Sequence, residues 1–208
     1  MAVQAPEIHA TVLGESMARM HALDVQPFVD EFRRAAIPDE NFLFPTSLQK
    51  GLDFVEQTTP WSSELVGWLR NHLLSGGQDL SVIHGDYHGG NLMFQNGSGN
   101  GILDWALRIS DPAIDLANMM NDYLLFANQI YPGVPHRLWR EIVDGMLKAY
   151  QGIRPLNCER IKAFRVLHLL GVLFNAAHAP EFMRRPKSKC DYVALIEQTT
   201  GLKVSPAA

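Results

Sequence analysis

The sequence predicts an α+β protein, mostly α-helical, in which a helical body surrounds a small β-hairpin platform. Three observations lead there. Apolar residues recur at helical spacing in the first third and again after Asp111-Pro112. Three short apolar segments lie between, at Leu80 to Ile83, Leu92 to Phe94 and Gly101 to Leu103. The stretch Asn96-Gly97-Ser98-Gly99-Asn100 joins the last two and reads as a hairpin turn, because Gly and Asn tolerate positive φ.

The elements follow in order. Pro6 opens a helix running toward His21, with Ile8, Val12, Leu13, Met17 and Met20 near one face. A second helix fits Phe28 to Ala36, and a third Ser47 to Gln57 behind Thr46. A fourth begins at Pro60, carries Trp61, Leu65, Trp68 and Leu69, and stops at Ser75-Gly76-Gly77. The tryptophans Trp61 and Trp68 read as core. The first strand ends at His84-Gly85-Asp86, so Asp86, Asn91 and Asp104 fall at strand ends and loops, where reactive groups are often presented on a rigid frame. Asp111 caps the next helix with Pro112 at its first position. Helices are predicted at about Pro112–Gln129, His136–Gln151, Asn157–His178 and Ser188–Thr199, with Pro180 to Lys189 a basic connector.

Composition narrows the class. With 208 residues, one domain is the default, and folding needs no disulfide or metal. A net charge of -4 leaves no basic excess for a phosphate backbone, so no nucleic-acid partner is expected. Cys158 and Cys190 form no C-x-x-C pair and fit a reduced, cytoplasmic setting. Met1 to Glu7 has no signal-peptide pattern, and no apolar run reaches the ~18 residues of a membrane span.

The chemistry is concentrated in His84-Gly85-Asp86-Tyr87-His88-Gly89-Gly90-Asn91, followed by Ile102-Leu103-Asp104-Trp105. Phosphoryl transfer needs one carboxylate to accept the acceptor hydroxyl's proton, and oxygen ligands to hold Mg²⁺ against the phosphates. An Asp, an Asn five positions on, and a second Asp returning along a hairpin supply those groups. The spacing His84, Asp86, His88 also admits another chemistry, a transition-metal hydrolase site.

The motifs resemble those of the aminoglycoside phosphotransferase and choline-kinase-like family, whose C-terminal lobe is similar to that of protein kinases. The family loop H-G-D-x-x-x-x-N, the strand end I-D-W or I-D-F, and G-D-P-x-x-D-L-A correspond to H-G-D-Y-H-G-G-N, I-L-D-W and S-D-P-A-I-D-L-A. The segment Leu13 to Leu23 looks like the family's first C-lobe helix, so the resemblance covers about residues 8 to 125. It implies a protein-kinase-like C-terminal lobe. Within it, Asp86 is the catalytic base and Asn91 and Asp104 are Mg²⁺ ligands. His84, Asp111 and Asp115 structure the loop, with Asp115 hydrogen-bonding toward it. His88 and Trp105 line the site, Trp105 packing under the metal. ATP is the donor and a small-molecule hydroxyl the acceptor. Gly89 departs from the usual proline, Ser110 from glycine, and Ala106 from an acidic residue.

The resemblance also implies an N-terminal nucleotide lobe, with a phosphate-covering loop and a strand lysine. Ahead of the loop stands one lysine, Lys50, in helical context. The expectation is therefore a single C-lobe: residues 1–79 helical, 80–105 the catalytic loop and hairpin, 106–208 helical and acceptor-side. An apolar surface beside the cleft would then favour self-association or a separate N-lobe chain. The competing class is a kinase-derived binding module that transfers no phosphate. From residue 157 onward basic residues outnumber acids, which favours a neutral or anionic acceptor.

Overall fold

Helix α1 (Pro6–His21) and helix α7 (His136–Gln151) form the scaffold on which the site is built. Their backbones meet because glycine stands at the crossing. A Cβ on Gly14 would lie 2.2 Å from the Met146 carbonyl oxygen, and one on Gly145 would lie 2.8 Å from Ala10 Cβ. Leu13, Met17, Ile142 and Met146 are fully buried. The computed structural model describes residues 6–43, 46–58, 63–75, 79–95, 98–127, 133–178 and 189–204.

The chain divides into two compact units. The first comprises Met1–Phe44 and Gln78–Cys158. Besides α1 and α7 it holds α2 (Gln26–Arg34), a one-turn α3 (Asp39–Phe42) and α6 (Ala113–Asn121). It also contains two separate antiparallel strand pairs. Strand β1 (Ser81–Ile83) pairs with β4 (Arg108–Ser110), Val82 opposite Ile109. Strands β2 (Leu92–Gln95) and β3 (Ser98–Ile102) form the hairpin, with an irregularity between Met93 and Phe94. The partner of β1 is therefore β4, which the sequence reading did not anticipate. Val29, Phe42, Val82 and Ile109 cluster beneath this pair. The helix predicted from Pro112 to Gln129 changes character midway. It is α-helical to Asn121 and then π-helical over Asp122–Phe126.

The second unit comprises Pro45–Gly77 and Glu159–Ala208. It contains α4 (Thr46–Thr58), α5 (Ser63–Leu73), most of α8 (Cys158–His178), and α9 (Lys189–Thr200). Lys50 lies within α4. Arg70 bridges Asp53 and Glu56 at 2.7 Å each. The Arg70 guanidinium holds the Asp53 carboxyl below its usual range. Arg160 caps the end of α5, donating to the Leu73 carbonyl at 3.2 Å. Trp68 stacks on His72, whereas Trp61 and the Asn96-Gly97 turn lie outside the described residues, as does nearly all of the basic connector.

Candidate active site

Strand β1 delivers the chain into the loop at His84, which is fully buried. The buried carboxylate of Asp115 holds this entry. Its Oδ2 accepts from the His84 amide at 2.7 Å and its Oδ1 from the Gly85 amide at 2.9 Å. Gly85 has φ +83°, and a Cβ there would lie 2.7 Å from the Ala106 carbonyl oxygen, so only glycine fits. The His84 ring stitches the loop to the strand end beyond β3. Nδ1 accepts from the Asp86 amide at 3.2 Å, and Nε2 donates to the Leu103 carbonyl at 2.9 Å. These partners fix the Nε2–H tautomer. Tyr87 and Trp105 lie against the same ring, with centroids at 5.5 and 5.0 Å. Burial pushes the Tyr87 hydroxyl up to about 12.

Behind Asp115 stands a second layer. His21 Nε2 lies 3.2 Å from Asp115 Oδ2, and His21 Nδ1 lies 3.0 Å from the Tyr150 hydroxyl. Arg154 donates to the His21 carbonyl and pairs with Asp79. Asp111, also buried, accepts from the Ala113 amide at 2.9 Å and so caps α6. The sequence reading placed His21 in a helix without a role and did not single out Tyr150. The usable signal at His21 was a polar residue ending the Met17–Met20 apolar face.

The far half of the loop is a tight turn, Gly89–Asn91. Its amides are satisfied in sequence: Gly89 by Asp122 Oδ2 at 2.8 Å, Gly90 by His88 Nδ1 at 3.1 Å, Asn91 by the His88 carbonyl at 3.0 Å. The Asn91 side chain donates to the Asp86 carbonyl at 3.0 Å, which directs its amide oxygen away from that bond. The Asn91 carbonyl accepts from the Leu103 amide at 2.8 Å. Asp104 is therefore the residue after Asn91's cross-strand partner, and it is exposed with φ +54°.

The structure thus brings Asp86, Asn91 and Asp104 to one end of the hairpin. The Asp86 side chain is 58% exposed, and His88 Nε2 lies 3.7 Å from its Oδ2, beyond hydrogen-bond range. Trp105 is 46% exposed and donates to the Ile102 carbonyl, so it lies against His84 and open to solvent rather than packed beneath the site. Leu103 and Trp105, the residues on either side of Asp104 in the chain, are both about half exposed, as is Met93 on β2.

Two metal chemistries were compatible with the sequence. The hydrolase pattern fails, because both ring nitrogens of His84 are engaged, and no group of three His, Cys, Asp or Glu residues among those described is placed to hold a metal. The donor set that remains is one exposed carboxylate, Asp104, and one amide oxygen, Asn91. That set fits Mg²⁺, which binds few protein oxygens and completes its shell with water and phosphate.

A short strand pair, a wired H-G-D loop and a hairpin returning a second Asp define a protein-kinase-like fold. The sequence profile of the phosphotransferase enzyme family (APH) matches residues 2–156, and the chain belongs to that family. Among solved structures, a macrolide 2'-phosphotransferase type I superposes with a TM-score of 0.59 at 18% identity, covering 98% of this chain and 60% of that one. An amicoumacin kinase, hAmiN, in complex with AMP-PNP, Ca²⁺ and Ami gives 0.54 at 17% identity, over 94% of this chain and 58% of that one. The GDP complex of aminoglycoside 2'-phosphotransferase-IIIa gives 0.52 at 20% identity, over 95% and 62%. The chain thus spans about 60% of the length of the phosphotransferases it matches. No curated protein sequence matches it. Among the described residues, no helix is long and apolar enough to cross a membrane.

Proposed function

We propose that these residues form the catalytic half of an ATP-dependent phosphotransferase acting on a hydroxyl of a small molecule. The observation that carries the reading is the stitching of the Asp86–Asn91 loop to Asp104, through the Leu103 amide and the His84 ring. Asp86 accepts the acceptor hydroxyl's proton, and its exposure leaves room for that acceptor. Asn91 and Asp104 hold Mg²⁺ by side-chain oxygen. A bound divalent cation supplies neutralisation of phosphate charge. His84 and Asp115 keep the loop from relaxing, because much of the catalysis in this chemistry is positioning.

The described residues contain no strand ahead of Ser81, so the nucleotide's phosphates need a grip from elsewhere in the whole protein or from another chain. The exposed apolar side chains Leu103 and Trp105, flanking Asp104 in the chain, support such a neighbour. The acceptor is a neutral or anionic alcohol, and the setting is cytoplasmic. The test is transfer of labelled γ-phosphate from ATP to a panel of sugars and macrolide-like alcohols. The chain is assayed joined to the nucleotide-holding lobe of a related phosphotransferase. Transfer that disappears in Asp104→Ala supports the reading. Tight ATP binding with no transfer to any acceptor favours a non-catalytic binding module.

A further inference from the structure

We infer that the catalytic loop is held by two carboxylates of one helical run, and that Asp122 is the positioning residue for its metal-ligand half. The inference deepens the phosphotransferase reading and rests on it for the meaning of Asn91.

Asp115 and Asp122 are seven residues apart. In an α-helix that is two turns, so both carboxylates lie on one face, separated by about 10.5 Å of rise. Asp115 takes the amides of His84 and Gly85 at the loop's entry. Asp122 takes the Gly89 amide at 2.8 Å, where the turn leading to Asn91 begins. The other two amides of that turn are satisfied by His88, within the loop itself. Asp122 is thus the long-range polar tie on the turn's amides.

Gly89 is adapted to this tie. A Cβ there would lie 3.2 Å from Asp122 Oδ2, so the carboxylate would have to give by a few tenths of an ångström, and 3.4 Å from the Tyr123 hydroxyl. A proline at 89 would have no N–H to give. The segment bearing Asp122 is itself anchored, because the next residue, Tyr123, meets His9 Nε2 at 2.6 Å. It is also where the helix changes from α to π, a local irregularity that re-aims side chains and frequently marks functional positions.

The test is NMR of the full chain. In the unmodified protein, a through-hydrogen-bond coupling between the Gly89 amide nitrogen and the Asp122 carboxyl carbon is expected, and its absence overturns the clamp even if variants fail to fold. In Asp122→Ala, exchange of the Gly89 amide should rise about tenfold, the factor one net hydrogen bond commands, while His84 and Gly85 stay protected. Asp122→Asn keeps an acceptor oxygen and should restore protection. Unchanged Gly89 exchange in Asp122→Ala, or equal acceleration at His84, Gly85 and Gly89, overturns the inference. Mn²⁺ alone serves as the second probe. Paramagnetic broadening at Asn91 should need severalfold more Mn²⁺ in Asp122→Ala and return to normal in Asp122→Asn. Absence of broadening at Asn91 and Asp104 in the unmodified chain would contradict the metal reading, while the coupling and exchange still judge the clamp.

Discussion

The loop's buried frame and its reactive edge are built from neighbouring residues yet obey opposite rules. His21, His84 and Asp115 have almost no exposed surface, and their polar atoms find partners in one another, in backbone or in the Tyr150 hydroxyl. Asp86 and Asp104 face solvent. Stability should therefore reside in the frame and chemistry in the edge, so substitutions in the two regions should separate folding from function.

The largest expected effect is in the frame. Asp115→Ala strands two backbone amides and the His21 ring in a dry site. It should cost about 3–5 kcal/mol, measured by urea denaturation. A loss under about 1 kcal/mol would mean that water replaces the carboxylate and the frame is not as closed as its burial indicates.

Gly85→Ala comes next. A positive φ and a backbone oxygen within 2.7 Å of the new Cβ should cost about 1–3 kcal/mol. A Gly101→Ala control, where the space is open, should show less than half of that in the same denaturation experiment.

Titration gives a smaller effect with a definite sign. Burial lowers His9 below its ordinary value of 6.5, so below that pH the unfolded chain binds the proton more readily than the folded one. Stability should fall as pH drops below 6.5, and His9→Gln should flatten that slope in a pH series of melting temperatures. Tyr87 acts at the other end. Its raised folded value means the unfolded chain loses the proton first, so stability is lost as pH rises from 10 toward about 12.

Least affected in stability should be the edge. Asp104→Asn keeps a residue type that tolerates positive φ and should change stability by no more than about 0.5 kcal/mol. Mg²⁺-dependent transfer should nonetheless be lost in the lobe-supplied enzyme. A destabilised Asp104→Asn would place this residue in the frame.

Legibility in the sequence does not divide along that line, since His84 and Asp115 of the frame were read from the same motifs as the edge, whereas His21 and Tyr150 were not. The proposed reactive edge lies in two short motifs, at 84–91 and 102–105, so Asp86, Asn91 and Asp104 stood out as candidates by spacing and resemblance. Helices Pro6–His21 and His136–Gln151 announced their bounds through a proline in or just before the first turn and regular apolar spacing. Strand β4 did not, because three residues carry no period and its partner β1 is distant in sequence. Asp122 was hidden for a different reason: its partner is a backbone amide, which every residue but proline possesses.

The most direct measurement of the central claim is kcat for ATP-dependent transfer in the lobe-supplied enzyme, comparing Asp86→Asn with His88→Ala. Asp86→Asn preserves shape and removes the group that accepts the hydroxyl proton, so kcat should fall about 10²–10⁴-fold with little change in the KM for ATP. His88→Ala should be milder, since its imidazole stands 3.7 Å from Asp86 and serves the loop through the Gly90 amide. Full turnover in Asp86→Asn with activity destroyed in His88→Ala would contradict the assignment of this loop as a phosphotransferase site.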